Sequence, residues 1–353
     1  LLRFFGARAQ RVRLVPDAPS TDLGAIRAFA RNLAAQLARQ GRHERIVLNA
    51  TGGNKLMALG FTDEFQRVVA SDRLQVIYVD TQHGRLETIV PAGAQASAMR
   101  DLLDVPTYLE VQGATLRRAN SDDPAWLERT TRRRDLTLRL GRDLRHPDYQ
   151  KVLGVLNYHA AHALGDGGTK LAQPAQKLAR RRVGALERLL GDLSRMGLVE
   201  WKTGSCELVF PDAQAARYVA GGWLEEFVWL AATDCRPFDA RAGAVITWEA
   251  ESKKHAPRNE FDLICTHHNR MLVVECKARV KWGKAPEGPT ATMFKLESLA
   301  RMVGGALVTK WLVVLQELDG PAKERARNAR IEIHDSRRLR WFREAVARWM
   351  EAG

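Results

Sequence analysis

The sequence predicts an α/β protein of two domains joined by a smaller helical segment, and three observations predict it. Residues 12–81 run strand, helix, strand, glycine turn, helix, strand. Near the other end, Asn259–Lys277 is written as two apolar runs either side of a polar turn. The chain has 353 residues, a length that divides into domains each able to enclose a core.

The first half builds as follows. Val12-Arg13-Leu14-Val15 reads as a strand. Ser20-Thr21-Asp22 supplies cap candidates for a helix over Leu23–Arg39, whose apolar residues Ile26, Phe29, Leu33 and Leu37 recur at helical spacing. Ile46–Asn49 is a second strand, Leu56–Gly60 continues at helical spacing, and Val76–Thr81 is the next strand. Alternating strands and helices favour a parallel sheet covered by helices, with ligand at the carboxyl ends of the strands. Residues 93–116 read as a further helix and strand, Tyr108-Leu109-Glu110-Val111 closing the sheet. Between the second strand and its helix lies Ala50-Thr51-Gly52-Gly53-Asn54-Lys55. A glycine turn there exposes backbone N–H groups at the positive end of a helix, where phosphates bind. Lys55 adds a cation, and Thr51 and Asn54 add donors. No Walker pattern and no G-x-G-x-x-G after a strand is present, which removes support for nucleoside triphosphates and dinucleotides.

The hairpin carries the chemistry. Side chains alternate along a strand, so Glu260 and Asp262 share one face of the first strand, and Glu275 and Lys277 one face of the second. Carboxylates and an ammonium then meet inside apolar strands, where bare charge is expensive. Magnesium or manganese takes oxygen ligands of this kind and keeps positions open for a phosphate. A lysine beside the metal can orient the attacking water or stabilise charge on the phosphate. These residues point to a metal-dependent phosphodiesterase; the plainer reading is a hairpin with surface carboxylates.

Between the two signals, residues 117–147 are polar and arginine-rich and read as a linker with a short element around Leu136–Leu140. Residues 148–216 hold two helices, one starting near Val152 and one over Ala185–Leu193, then two short strands, and resemble a winged helix. Lys177 and Arg180–Arg182 would serve nucleic acid there, unless the segment is a rigid spacer. His159 and His162 read as structural. The net charge of +14 and pI near 10.0 suit an anionic partner, with clusters at Arg132–Arg134 and Arg139–Arg145. The four cysteines form no C-x-x-C pair and read as reduced thiols, without zinc. No signal peptide or run of 18 apolar residues appears, so a cytoplasmic protein without a membrane role is expected.

The run Asn49–Ala58 closely resembles the ligand loop of CARF domains, the cyclic-oligoadenylate sensors of type III CRISPR immunity. The hairpin resembles the PD-(D/E)XK nuclease core, with Asp262 as the single acid and Glu275-Cys276-Lys277 as the E-x-K triplet. In this order the pair resembles the CARF effector nucleases activated by cyclic tetra-adenylate. The resemblance implies a Rossmann-like sensor over 1–116 and a restriction-endonuclease-like α/β domain over 217–353; the residues between them read as a linker over 117–147 and a helical, winged-helix-like connector over 148–216. It implies a leading glutamate on a helix before the hairpin. Gly221–Leu230 fits that helix, with Glu225 preferred and Glu226 the alternate; Glu260 and Lys295 are supporting candidates. Glu225, Asp262, Glu275 and the Cys276 carbonyl would hold magnesium or manganese, and Lys277 would position the water. Thr51, Gly52, Gly53, Asn54, Lys55 and Thr81 would hold cyclic tetra-adenylate across the axis of a homodimer, and single-stranded nucleic acid or DNA would be the substrate. Leu1–Gly6 reads like the end of a first helix, whereas such sensors open with a strand before it. From other classes, a ligand-sensing, nucleic-acid-binding regulator with a non-catalytic nuclease fold, or a constitutive repair nuclease, would also fit the residues.

Overall fold

The computed structural model describes residues 12–39, 45–81, 83–178, 184–248, 259–278, 288–305 and 308–352. Leu1–Gly6 and Arg180–Arg182 lie outside them. The chain divides into two compact units, Leu1–Leu102 and Leu103–Glu351.

In the first unit α1 (Leu23–Arg39) starts where the Asp22 carboxylate accepts the Ala25 N–H at 2.7 Å. β1 (Ile46–Asn49) leads to α2 (Lys55–Val68) and then β2 (Leu74–Asp80), β3 (Arg85–Val90) and the two-residue β4 (Ser97–Ala98). The two helices cross at Gly60, where a Cβ would sit 2.7 Å from Ile26, and are tied by Arg31 to the buried Glu64 at 2.8 Å. Ala34, Ile46, Phe65, Leu74 and Val76 form the core between helices and sheet. β1 and β2 are parallel, as expected, but β3 and β4 add antiparallel, so the sheet is mixed. Val12–Val15 is no strand: Leu14 is exposed and no described strand pairs with it.

Nor does Tyr108–Val111 close this sheet. Residues Val105–Val111 form α3, with Pro106 in its first turn and Asp104 capping Thr107 N–H at 2.8 Å. Val105, Tyr108 and Leu109 fall on one helical face and are buried against Ile246 and Phe261 of the second unit. The following β5 (Ala114–Arg118) pairs with β8 (Asp239–Trp248) in that unit. Burial decided the matter, because the apolar spacing 105, 108, 109 suits a helix and its partners lie far along the chain.

The second unit is built on six strands in the order β12 (Ile331–His334), β11 (Thr309–Val314), β10 (Arg270–Lys277), β9 (Asn259–His267), β8, β5. β9 and β10 form the predicted hairpin. His268 and Asn269 both have positive φ, 48° and 54°, the two-residue turn whose twist matches a hairpin. β10, β11 and β12 are parallel. Helices cover both faces, so these strands read as near-continuous apolar runs. On one face α3 packs with α10 (Pro289–Gly304) and α11 (Gly320–Asn328) through Val105, Met293, Leu296 and Ala322. On the other, Leu263, Val274, Trp311 and Val313 meet the remaining helices.

Those helices begin in the expected linker, which is in fact structured. α4 (Pro124–Arg132) and α5 (Arg134–Asp143) lie within residues 117–147, and Leu136 and Leu140 are buried. Three of the arginines that made the stretch look solvated are paired to distant acids: Arg133 with Glu226, Arg134 with Asp234 at 2.6 Å, Arg139 with Asp192. The next segment contains α6 (Pro147–Ala163), β6 (Ala175–Lys177), α7 (Ala185–Arg195) and β7 (Glu207–Val209), with β6 and β7 pairing as a small antiparallel wing. Its Leu153, Leu156, Leu189 and Leu208 share one core with Leu224, Val274 and Trp311 from the rest of the second unit. It is therefore part of this unit and not a separate small domain. Two of its residues, Lys177 and His159, face out or bond locally: Lys177 is exposed and His159 Nδ1 lies 3.2 Å from Gln176 Oε1. The short α8 (Ala213–Arg217) runs through one wide turn, Tyr218–Gly222, into α9 (Trp223–Thr233), and α12 (Phe342–Glu351) completes the layer.

Candidate active site and ligand loop

The carboxylates of the hairpin converge at the end of β10. Strand alternation places Glu275 and Lys277 side by side, and Lys277 Nζ bonds Glu275 Oε1 at 2.5 Å. Across the hairpin, Asp262 Oδ2 accepts the Cys276 N–H at 2.6 Å. The third carboxylate comes from α9. At Gly221 φ is +154°, and a Cβ would stand 2.7 Å from that of Ala278. Glycine lets the start of α9 close onto the residue after Lys277, and Asn157 of α6 holds the Ala278 carbonyl at 2.8 Å. Glu225, in the first turn of α9, is thereby brought within electrostatic reach of Asp262, Glu275 and Lys277. Wide helical turns of this kind recur at functional sites.

The electrostatics follow from three acids sharing one ammonium. Burial, then Glu225 and Glu275, push the Asp262 carboxyl well above the usual range. Burial, then Glu260, push Glu225 up to about 7. Burial opposes the charge on Lys277, but Glu275 and Asp262 outweigh it and hold the ammonium above its ordinary value. The group is short of positive charge, which is the condition a divalent cation relieves. The Cys276 thiol is buried among Leu263, Val274 and Val313 and pushed far up, so only its carbonyl remains as a ligand atom.

The two adjacent glutamates separate cleanly. Glu226 is 3% exposed and is gripped by both arms of Arg133, with Nε to Oε2 at 2.8 Å. Arg133 in turn lies 4.2 Å over the ring of Tyr218, whose hydroxyl is 2.9 Å from Thr137 Oγ1. Glu226 is consumed in that structural pair, and Glu225 is the glutamate facing the hairpin. Glu260 is exposed and acts on Glu225 through its charge. Lys295 is exposed on α10, and no described contact joins it to the acids. The sequence showed Arg133 only as part of a charged cluster and Gly221 only as a helix start, and gave no sign of Asn157; Arg133 and Asn157 act across 93 and 121 residues of chain, and no local pattern reports such partners.

In the first unit, the loop before α2 is fixed by its own polar residues. Asn49 Oδ1 accepts the Thr51 N–H at 3.0 Å, and Gly53 has φ +78°. Asn54 caps α2: its Oδ1 accepts the Met57 N–H at 3.0 Å and its Nδ2 donates to the Ser20 carbonyl at 2.5 Å. Thr51 Oγ1 accepts the Val79 N–H at 2.7 Å, which leaves the hydroxyl proton free to donate. Thr51, Gly52, Gly53, Asn54, Lys55 and Thr81 are all exposed, and among the described residues no carboxylate pairs with Lys55. Asn54 is thus chiefly a cap, while Thr51 and Lys55 have bonding capacity to spare.

Residues 212–352 match the family model of the Card1-like endonuclease domain. The match begins just before α8 and takes in Glu225, the hairpin and all of the sheet except β5. Two solved structures share the fold of the whole chain. The crystal structure of protein VC1899 from Vibrio cholerae is 22% identical, with 95% of this chain and 82% of that one covered and a TM-score of 0.76. Can2 from Sulfobacillus thermosulfidooxidans, solved in complex with cyclic tetra-adenylate, is 20% identical, with 99% and 86% covered and a TM-score of 0.72. No curated protein matches the chain. Among the described residues, no helix is long and apolar enough to cross a membrane.

Proposed function

We propose that this protein is a cyclic-oligoadenylate-activated, metal-dependent nuclease of type III CRISPR defence. The observation that carries the reading is the convergence of Glu225, Asp262, Glu275 and Lys277 inside a domain matching the Card1-like endonuclease model. Glu225, Asp262, Glu275 and the Cys276 carbonyl would hold magnesium or manganese, which supplies Lewis acidity to the phosphodiester and lowers the pKa of a bound water. Lys277, kept protonated by Glu275 and Asp262, orients the attacking water and stabilises charge on the phosphate. Asp262 is itself held in place by the Cys276 N–H. The activator is cyclic tetra-adenylate, the ligand bound to the similarly folded Can2. Thr51 donates its free hydroxyl proton and Lys55 its ammonium to the ring phosphates, with the N-terminus of α2 behind them. A ring of four identical nucleotides suits a homodimer, in which each subunit makes the same contacts.

Supercoiled plasmid, single-stranded DNA and single-stranded RNA, incubated with and without cyclic tetra-adenylate and manganese, test this reading. Cleavage is expected only with both, and Glu275→Gln should lower it by at least ~100-fold, the scale for a strong catalytic contact. Undiminished cutting by folded Glu275→Gln protein would refute the site.

A further inference from the structure

Beside Glu225 the second unit forms a half-open cleft of about 230 Å³, lined by Asn120, Trp126, Arg129, Gln214, Arg217 and Glu225 among others. Of the three arginines lining it, Arg133 alone is held in an ion pair among the described residues, and the charge of Arg129 also bears on Glu226. Arg133, which also borders it, is committed to Glu226. Arg129 is partly buried and Arg217 exposed, and among the described residues neither pairs with a carboxylate; Arg217 makes only a 3.3 Å bond to the Ala213 carbonyl. Two walls are glycine. Gly243, at φ +55°, has the Asn120 amide lying where a Cβ would be, and at Gly222 a Cβ would stand 3.2 Å from the Arg217 carbonyl. The bare Gly243 leaves room for the Asn120 amide, which lines the cavity. Trp126, which lines the cavity, packs edge-to-face on Trp229, ring centroids 5.0 Å apart.

Guanidinium groups take phosphate, aromatic faces take any base, and amides read base edges. The volume is below the roughly 300–1,000 Å³ of pockets that enclose a whole small ligand. It suits one unit of a longer chain. We propose that this cavity is a nucleotide subsite of the nuclease, holding the nucleotide that flanks the scissile phosphodiester: Arg129 and Arg217 on its phosphate, Trp126, Asn120 and Gln214 on its base. The proposal rests on the nuclease reading given above.

The test is equilibrium binding of fluorescein-labelled single-stranded DNA, and separately RNA, to full-length Glu275→Gln protein with cyclic tetra-adenylate and manganese present, beside cleavage by the parent. Arg217→Ala should weaken binding roughly ten- to a hundredfold, the scale of one charge-assisted hydrogen bond. It should also reduce the slope of log affinity against log salt by about 1. Arg217 is exposed, so this variant should melt with the parent. An abasic site moved along the strand should weaken binding most at one position, and in Trp126→Ala that position should lose its effect. A merely structural Trp126 would weaken all strands alike. Unchanged affinity and salt slope in Arg217→Ala, or an abasic profile unchanged by Trp126→Ala, overturns the subsite. If both effects appear while the parent cleaves nothing, the subsite stands and the nuclease reading fails.

Discussion

In metal-free protein, Glu225→Gln should stabilise the second unit at alkaline pH. Burial, and then the charge of Glu260, raise the Glu225 carboxyl from 4.5 to about 7 in the folded chain. Below pH 4.5 the carboxyl is protonated folded and unfolded alike, and the native state bears no penalty from it. As pH climbs from there toward 7, the unfolded chain releases the proton while the folded chain retains it, so stability is lost across that window. One pKa unit is worth about 1.4 kcal/mol, which makes the full loss about 3 kcal/mol once the folded carboxyl has also ionised. Gln keeps the shape without the charge and escapes the loss. At about 2–4 °C per kcal/mol for a unit of this size, the variant should melt roughly 6–12 °C above wild type near pH 8 in chelator, and level with it at pH 4.5. Saturating manganese should shrink or invert the gap, because wild type then gains binding energy that the variant lacks. Thermal unfolding followed by circular dichroism, with chelator or manganese across this pH range, measures all of it. Equal melting near pH 8 in chelator would show that Glu225 is not the buried, charge-crowded acid described here.

Two further substitutions probe the frame and the sensor. Arg133→Leu strands the Glu226 carboxylate at 3% exposure and should cost about 3–5 kcal/mol in denaturant unfolding, most of it regained in Arg133→Leu/Glu226→Leu; no recovery would mean Arg133 matters for something besides the pair. Lys55→Ala should weaken cyclic tetra-adenylate binding by roughly a hundredfold or more in calorimetry, from two lost contacts of ~1.5–3 kcal/mol per dimer. Equal affinity would place the ligand elsewhere.

The sequence alone determined the elements that repeat a simple period, together with which polar residues share a face of them. The hairpin, its E-x-K triplet and the strand–glycine turn–helix around residues 50–55 were all legible, because alternation along a strand and spacing along a helix put named side chains on one face. Glu225 was preferred over Glu226 from local spacing, and the fold supplies the reason, since Arg133 takes the neighbour. Only tertiary structure decided where α3 and β5 belong, because a strand's partner is set by the edge that buries its backbone and not by its own residues. Only tertiary structure, too, turned an apparently solvated arginine-rich linker into two packed helices. A charge is read from sequence as exposed until its partner is known, and the partners Glu226 and Asp234 lie 93 and 100 residues away. The closeness of α9 to the hairpin likewise depends on a single missing Cβ at Gly221 against Ala278, a contact that exists only once both segments are folded.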